Sequence, residues 1–342
     1  MGDMPMLKES EKIQAQINLY MALMLAVFLM ATLYQGGMWL ERQGEEAETR
    51  GDYRQRYAYE AQVRIAGTAY RYRRDLTTLL LLGVDNDAVL ETPGYRGENQ
   101  ADFLWLMVVD NTEKRVTQIQ LDRDTMADVQ LYGPFGDKAG KQNMQLCLSY
   151  AYGDGVEGRC GNVADAVSRL FSGITIDGVI ALDMGGIAAF NDSLGGVTVT
   201  LESDLTHLDA ALEKGKTVTL SGGQAEAFVR GRRGVDDGTN QARMLRQRRY
   251  MDAAGTQMRE RIARDYEFLN ALLDELDSHF YCSISRGRLI NAVSACLRYD
   301  MWETRSLTGD YRIGADGFME FYAEEKALQA LLIHTFLKPI EN

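Results

Sequence analysis

Histidine, cysteine and net positive charge are all scarce in this chain of 342 residues. The three histidines (His207, His279 and His334) lie too far apart in sequence to form a short metal-binding motif. Lys and Arg number 37 against 49 Asp and Glu, which gives a formal net charge of −12. Because nucleic-acid-binding proteins normally carry a basic surface, we expect no nucleic-acid partner.

The sequence also lacks the motifs of several large enzyme classes. It contains no P-loop, no HExxH and no GxSxG, so nucleotide-dependent kinases and the common hydrolases are poorly supported. Hydrophobic residues make up 46% and charged residues 25%, which are ordinary values for a globular protein and exclude wholesale disorder. The length allows one large domain or two ordinary ones.

The first forty residues have a membrane-anchor pattern. No charged residue lies between Lys12 and Glu41, and residues 19–33 are almost wholly apolar. Spanning a bilayer takes about 20 apolar residues. A buried core helix would show a polar face and a signal peptide would show a small-residue cleavage site, so we favour an uncleaved anchor over both. We predict a cytoplasmic tail and a single transmembrane helix within residues 1–40. The rest of the chain is predicted to lie on the extracytoplasmic side of the cell membrane.

The four cysteines form two couples that are 13 and 14 residues apart, and none belongs to a CxxC motif. The simplest pairing is Cys147 with Cys160 and Cys282 with Cys296, although four cysteines allow three pairings. Disulfides form in oxidising compartments, so this pairing agrees with an extracytoplasmic domain. The alternative is four buried thiols.

The pattern of the remaining chain predicts an α/β protein with a mixed central sheet flanked by helices. We divide it into a juxtamembrane stalk with a short strand near its end (residues 41–75), a main globular domain (76–262) and a C-terminal helical extension packed on that domain (263–342). Continuous apolar runs at residues 79–85 and 103–110 are typical of buried strands. Strands that alternate with helical segments give this fold class.

Seven arginines are concentrated in residues 230–249, where no lysine occurs. They are Arg230, Arg232, Arg233, Arg243, Arg246, Arg248 and Arg249. Arginine suits planar, bidentate binding of phosphate oxygens better than lysine does. The alternative is a solvated helix whose arginines pair with the many acids of the chain.

Acidic residues follow the ends of the predicted strands. Asp85 ends the first apolar run, Asp102 begins the second, and residues 122–125 follow the third strand with the sequence DRDT. Polar residues at strand ends of an open α/β sheet commonly form a ligand crevice. Mg²⁺ usually binds through one or two protein carboxylates together with phosphate oxygens. Each aspartate taken alone could equally be a turn or cap residue.

The order of these motifs resembles the LytR-CpsA-Psr family of cell-envelope phosphotransferases. The resemblance covers residues 76–262 and depends on six segments: LLLLGVD (79–85), ADFLWLMVVD (101–110), LDRDTM (121–126), GGVTVTL (195–201), LSGGQAEAFVRGRR (220–233) and ARMLRQRRYM (242–251). It implies transfer of a glycopolymer, such as teichoic acid or capsule, from a polyprenyl-diphosphate carrier to a peptidoglycan sugar hydroxyl as a phosphodiester. The implied partners are that carrier-linked glycopolymer, peptidoglycan and the bacterial cell membrane.

The resemblance also assigns roles to individual residues. Asp85 and Asp102 match the acids associated with Mg²⁺, and a role as general base is open for either of them. The residues that match diphosphate-binding and catalytic positions are Arg123, Arg230, Arg232, Arg243 and Gln247, with Arg246 beside them.

Three positions depart from the family pattern. Gln100 and Phe103 replace an arginine and a threonine around Asp102, and Asp122 replaces the proline of a P-R-D motif. Losing an arginine would weaken phosphate neutralisation. The alternatives are therefore an envelope regulator that binds polyprenyl phosphate without turnover, and an anchored interaction protein whose arginines only form a surface.

Overall fold

The computed structural model describes residues 62–340, apart from residues 87, 91–93, 233, 266 and 300. The predicted anchor (residues 1–40) and the first part of the predicted stalk (41–61) lie outside the described residues. Among the helices of the described part, none combines the length and the apolar composition that crossing a membrane requires.

Strands and helices alternate along the described part of the chain. The strands are β1 (Gln62–Ile65), β2 (Thr68–Tyr72), β3 (Leu76–Val84), β4 (Ala101–Asp110), β5 (Arg115–Leu121), β6 (Met126–Tyr132), β7 (Lys138–Gln145), β8 (Gly178–Leu182), β9 (Thr198–Thr200), β10 (Thr217–Thr219), β11 (Phe280–Cys282), β12 (Met301–Ser306), β13 (Gly309–Ile313), β14 (Met319–Ala323) and β15 (Leu337–Pro339). The helices are α1 (Gly155–Leu170), α2 (Met184–Ser193), α3 (Gly222–Arg230), α4 (Asn240–Arg264), α5 (Phe268–Glu275), α6 (Arg286–Arg298) and α7 (Glu325–Phe336).

Six strands form the central sheet in the order β11-β8-β3-β4-β5-β12. The strands β3, β4 and β5 are a continuous antiparallel meander, whereas β8 runs parallel to β3 and β12 parallel to β5. The mixed sheet with helices on both faces confirms the predicted fold class.

One face of this sheet is tightly filled. Alternate residues of β3 and β4, such as Leu80, Leu82, Leu104 and Leu106, are at most 2% exposed. They belong to the largest apolar cluster, which also takes in buried residues of α1 and α7. We call this the filled face. Burying each such leucine stabilises the fold by about 1.5–3 kcal/mol.

The other face of the sheet forms one side of a cavity of about 320 Å³. Leu79, Leu81 and Gly83 on β3, with Phe103 and Met107 on β4, form its floor. Residues from α2, α4, α5 and α6 form the walls. We call this the hollow face. The two faces use the same strands, because successive side chains of a strand point to opposite sides of a sheet.

Smaller sheets surround this centre. β1, β2 and β15 form a three-stranded sheet, and β6–β7, β9–β10 and β13–β14 are antiparallel pairs. The β13–β14 hairpin lies on the loop that follows β5, where the Phe321 N–H donates to the Asp124 carbonyl at 2.8 Å. This contact brings a late part of the chain to an early loop.

Several local predictions were wrong. The single strand expected near residues 62–70 is the β1–β2 hairpin, whose turn places Ala66 at φ 49° and Gly67 at φ 86°. An alanine at positive φ is uncommon, so the sequence carried no standard hairpin signal. The sequence pattern also predicts a helix over residues 143–152, but these residues are the end of β7 and a short 3-10 helix.

The region expected as a helical extension contributes strands as well as helices. β11 and β12 are the two edge strands of the central sheet, and β13, β14 and β15 complete smaller sheets. The strand β12 was not foreseen, because its sequence MWETRS is largely polar and lacks the apolar run of a buried strand.

The predicted disulfides are also wrong in this structure, in which all four cysteines are thiols. Cys160 lies in the apolar cluster of the filled face, whereas Cys147 lies in the 3-10 helix beside Arg123. Cys282 packs with one apolar cluster and Cys296 belongs to another. A spacing of 13 or 14 residues does not fix where two side chains point, so sequence spacing alone was insufficient evidence. The cysteines therefore do not support an oxidising compartment.

Candidate active site

Two acids meet at the end of the central β-meander. Asp85 directly follows β3, and Asp102 is the second residue of β4, which pairs antiparallel to β3. The Asp85 N–H donates to the Gln100 carbonyl at 3.0 Å, and the Gln100 N–H donates to the Asp85 carboxylate. These two bonds close the base of the connecting loop and hold both aspartates at one edge of the sheet.

Arg123 is presented by a tight turn after β5. In that turn the Asp122 carbonyl accepts from the Thr125 N–H at 3.1 Å and from the Thr125 hydroxyl at 2.6 Å. The Arg123 guanidinium donates to the Asp102 carboxylate, to the Gln100 side-chain carbonyl and, at 3.3 Å, to Asp124. The turn thus directs Arg123 toward the acids at the neighbouring strand ends.

Helix α4 supplies the second arginine. The Thr239 hydroxyl caps the helix by accepting from the Ala242 N–H at 3.2 Å. The Arg243 side chain, which is 4% exposed, donates from Nη1 to Asp102 at 3.0 Å. The Asp102 carboxylate is therefore bound by Arg123 on one oxygen and by Arg243 on the other.

The arginines near the end of α3 are more exposed. A capping box formed by Ser221 and Gln224 begins this helix. Arg230 is 45% exposed, pairs with Glu226 and lines the mouth of the cavity. Arg232 is exposed, and its charge acts on both Asp124 and Arg243. These two cations are accessible to a ligand that reaches the cavity mouth.

Arg246 and Gln247 bind backbone rather than the acid cluster. Arg246 is 1% exposed and donates to the Phe228 carbonyl at 3.1 Å, to the Gly231 carbonyl and to Asp236. Arg246 is not one of the described residues that line the cavity. The Gln247 amide lines the cavity and donates to the Val229 carbonyl at 3.3 Å. Both side chains fix the segment that carries Arg230 and Arg232.

The structure thus brings Asp85, Asp102, Arg123 and Arg243 into one cluster. Arg230 and Gln247 lie at the adjoining cavity mouth, and Arg246 lies behind the loop. The roles that the sequence resemblance assigns to these residues stay predictions.

Electrostatics differ within the cluster. Partial desolvation at the cavity mouth, together with the charge of Asp102, raises the pKa of the Asp85 carboxyl. The bond from the Gln100 N–H and the charge of Arg123 oppose this rise. Burial lowers the pKa of Arg243, and the nearby cations Arg123 and Arg232 lower it further. An anion that binds here relieves the repulsion among the arginines.

The acids suit a magnesium ion only together with substrate oxygens. The described residues contain no group of three or more His, Cys, Asp or Glu side chains placed to bind a metal. Asp85 and Asp102 are close enough for the charge of one to raise the pKa of the other. Mg²⁺ is commonly held by one or two carboxylates, substrate phosphates and water, and this donor set fits that pattern.

The cavity begins at the charged cluster and continues along α4. Seven residues on one face of this helix line it: Arg243, Gln247, Tyr250, Met251, Ala254, Gly255 and Met258. The interval from Arg243 to Met258 is about 22 Å at 1.5 Å per residue. Arg243 and Gln247, at the start of this face, are polar, whereas the residues from Met251 onward are apolar. The site therefore has a charged mouth and a long apolar interior.

The departures from the family pattern have clear structural positions. Gln100 accepts from Arg123, so a neutral amide lies against the guanidinium. Phe103 lines the cavity and stacks on Trp105 with ring centroids 5.6 Å apart. Arg96 lies four residues before Gln100 and was a candidate to replace the missing arginine. It donates to the Tyr132 carbonyl at 2.7 Å and is not among the residues that line the cavity, so it does not take that place.

Sequence reasoning missed two residues at this site. Asn240 contacts Arg243, and its position three residues earlier on the same helix was a usable signal. Tyr311 contacts Asp122 from 189 residues away, and no local pattern indicates that contact.

The chain matches a protein-family model described as the LytR_cpsA_psr family over residues 41–332. Among curated proteins, it is 29% identical over 179 residues to Biofilm regulatory protein A of Streptococcus mutans, covering 50% of this chain and 41% of that protein. The match therefore spans less than half the length of that relative.

Two further similarities extend over most of the chain. It is 25% identical over 264 residues to the polyisoprenyl-teichoic acid–peptidoglycan teichoic acid transferase TagU of Bacillus cereus, covering 74% of this chain and 76% of that protein. The solved structure of TagT bound to LI-WTA has a TM-score of 0.59 and 21% identity, covering 77% of this chain and 90% of that one. At this identity the structural match establishes a shared fold.

Proposed function

The chain belongs to the LytR-CpsA-Psr family, and on that premise we propose that it transfers a glycopolymer from a polyprenyl-diphosphate carrier to a peptidoglycan sugar hydroxyl. The product would be a phosphodiester between the two polymers. The curated relative TagU carries the name of a teichoic acid–peptidoglycan transferase, which supports this reaction class.

One observation carries the proposal. The arginines Arg123 and Arg243 converge on Asp102 at the mouth of an apolar cavity. A diphosphate matches the charged mouth, and a polyprenyl chain matches the apolar interior along α4. A charged ligand without a lipid tail would leave that interior unused.

The residues of the site can perform the transfer. Arg123, Arg230, Arg232 and Arg243 would bind the diphosphate oxygens, since preorganised cations stabilise developing charge. The acceptor hydroxyl attacks the sugar-linked phosphorus, a new P–O bond forms, and the bond to the bridging oxygen breaks. Polyprenyl phosphate leaves with the electron pair. The hydroxyl proton passes to one carboxylate of the site, and the raised pKa of Asp85 favours Asp85 as this base.

Of Asp85 and Asp102, the carboxylate that does not act as the base would hold Mg²⁺, which would supply charge neutralisation on the phosphate oxygens. We further propose that the predicted N-terminal helix anchors the chain in the bacterial cell membrane, with the described domain on the extracytoplasmic side. A lipid-linked donor and a peptidoglycan acceptor are both available there.

Gln100 motivates the second candidate function. Because a neutral amide occupies the position where the family has an arginine, the site has one cation fewer for the diphosphate. A regulator that binds polyprenyl phosphate without turnover is consistent with that loss.

The test is an in vitro transfer assay. The full chain in detergent is incubated with a polyprenyl-diphosphate oligosaccharide and peptidoglycan oligomers, with and without Mg²⁺, and mass spectrometry detects the sugar-phosphate adduct. We expect an adduct that depends on Mg²⁺ and is lost in Asp102→Ala. Retention of polyprenyl phosphate without any adduct would instead support the binding regulator. If the chain neither transfers nor retains the lipid, the proposal is wrong.

A further inference from the structure

Asp122 is a buried carboxylate that joins three parts of the chain. It is 5% exposed and lies one residue before Arg123, where the family pattern has proline. Its Oδ1 accepts from the Asp124 N–H at 2.8 Å and from the Asn240 amide at 2.8 Å. Its Oδ2 accepts from the Tyr311 hydroxyl. One side chain therefore connects the loop after β5, the start of α4 and the β13–β14 hairpin.

Asn240 contacts Arg243 as well as Asp122. The side-chain Oδ1 of Asn240 accepts from Arg243 Nε at 3.1 Å and from Arg243 Nη2 at 2.7 Å. Arg243 Nη1 is thereby directed to Asp102. The Asn240 amide can hold this orientation only while its nitrogen donates to Asp122. A flipped amide would place two donors against the guanidinium.

Tyr311 is held firmly enough to fix Asp122. Its ring packs on Phe321 of the partner strand with centroids 4.8 Å apart. Phe321 itself forms a β-bridge with Thr125 and donates to the Asp124 carbonyl. The hairpin is thus docked on the loop through its backbone, and the Tyr311 hydroxyl adds a third contact on the carboxylate of that loop.

We propose that Tyr311, Asp122 and Asn240 are positioning residues that orient Arg243 for its contact with Asp102 and with an incoming diphosphate. We call the three residues the positioning relay. Its effect on transfer rests on the proposed function, whereas its effect on the orientation of Arg243 does not. An unrestrained arginine would lose rotamer freedom on binding, and the relay removes that cost before the ligand arrives.

A spectroscopic experiment tests the relay without assuming any activity. The Arg243 Nε–H signal is assigned in the full chain by its loss in Arg243→Lys, and then followed by ¹⁵N NMR. We expect Tyr311→Phe to shift this signal and to speed its exchange with solvent. Tyr322→Phe is the matched control, because Tyr322 lies in the same hairpin but its hydroxyl donates to Glu320 at 2.7 Å. Equal spectra for the two variants would overturn the relay.

Transfer kinetics test its consequence. Because misplacing a binding group by about 1 Å can cost up to about 100-fold, we expect Tyr311→Phe to lower kcat about tenfold and Asp122→Ala about 100-fold. Asp122→Asn keeps an oxygen for Asn240 and should restore most of the rate lost in Asp122→Ala. Tyr322→Phe should match the wild type.

The two experiments separate the two proposals. If the wild type shows no transfer but Tyr311→Phe shifts the Arg243 signal, the relay stands and the enzymatic function fails. If Asp122→Asn and Asp122→Ala lower kcat equally while the Arg243 signal is unchanged in Tyr311→Phe, the relay is wrong. Thermal unfolding of each variant identifies any that fails to fold, and Tyr311→Phe then decides the outcome, since it removes a single oxygen.

Discussion

Leu80 and Leu81 are adjacent on β3 and point to opposite faces of the central sheet. Leu80 is fully buried in the cluster shared with α1 and α7, whereas Leu81 is half-buried and lines the cavity. Both belong to one apolar run, and no property of either residue distinguishes them. The difference comes from the helices that cover each face, since those over the hollow face leave about 320 Å³ unfilled.

The comparison shows how one sheet can provide stability and binding separately. Apolar side chains of the filled face are used up in packing, whereas several on the hollow face, such as Leu81 and Phe103, line the cavity and are available to a ligand. The acid and arginine cluster lies at the end of the strands beside the hollow face, so charge and apolar volume adjoin. Substitutions on the two faces should therefore change different measurements.

The largest effect is expected for Arg243→Ala, at the charged end of the hollow face. Removal of one preorganised charge-stabilising donor typically costs about 100- to 1000-fold in rate, so transfer should fall by about that factor. Arg264→Ala is the matched control, because Arg264 ends the same helix and is 79% exposed. The assay is the mass-spectrometric transfer reaction. Similar rates for the two variants would remove Arg243 from the site.

The next effect separates the two leucines directly. Leu80→Ala should lower the free energy of unfolding by about 2–5 kcal/mol, because it opens a cavity in a filled core. Leu81→Ala only enlarges an existing cavity. The free energy of unfolding should therefore fall by no more than the free energy of burying the removed apolar groups, about 1.5–3 kcal/mol or less. Urea titration of both variants gives the two values. Equal losses would contradict the distinction between the faces.

A third prediction uses two helical glycines with open space around them. Gly255 on α4 lines the cavity, and Gly161 on α1 is exposed; a Cβ at either position meets nothing within 4 Å. Replacing either by leucine should raise helix stability by up to about 1 kcal/mol. Gly255→Leu should also weaken binding of polyprenyl phosphate about tenfold, since overpacking costs about 1–3 kcal/mol.

Calorimetric titration with polyprenyl phosphate measures that difference. Gly161→Leu should bind the lipid as the wild type does. Unchanged affinity in Gly255→Leu would mean that the lipid does not reach the α4 stripe.

The smallest expected effect is on the pH dependence of stability, to which the two carboxyls at the ends of β3 contribute. Partial desolvation raises the pKa of Asp85, directly after the strand, above its ordinary value of 3.8. The hydrogen bond from Arg73 lowers the pKa of Asp75, directly before the strand, to about 2. A carboxyl whose pKa is raised by folding stabilises the folded state below its ordinary pKa, and this contribution is lost as pH rises. A carboxyl whose pKa is lowered by folding stabilises the folded state above its ordinary pKa, and this contribution is lost as pH falls.

Matched variants isolate these two contributions. Relative to the wild type, Asp85→Asn should gain stability as pH rises from 3.8 through the raised pKa. Asp75→Asn should be less stable at neutral pH, and its deficit should shrink as pH falls from 3.8 toward about 2. Urea titrations at several pH values measure both differences. The same slope for both variants would contradict the assignment.

Much of the fold was predictable because its signals are local. The runs LLLLGV and FLWLMVVD lie in β3 and β4, and the segment around residue 250, which has helical periodicity and no proline, is α4. Motif order also identified the family. The polar strand β12 and the state of the cysteines were missed, since each depends on neighbours that are distant in sequence. The turn at Ala66 was missed because an alanine at positive φ is not a standard hairpin signal.

The candidate site was predictable only in part. Asp85, Asp102, Arg123 and Arg243 do converge, as the acids at the strand ends and the order of the motifs suggested. Arg246 carries the same charge, yet it is buried against backbone carbonyls behind the loop. Sequence reports that a residue is an arginine but not which partner its guanidinium meets.

The sequence by itself determined the alternation of side chains along each strand, the helical spacing of the arginines and the acids at the strand ends. These follow from covalent geometry and near neighbours, which every local segment specifies. Only the tertiary structure decided which face of the sheet is hollow and that Tyr311 reaches Asp122 across 189 positions. Such contacts depend on how the helices and hairpins pack together, and packing is a property of the whole chain.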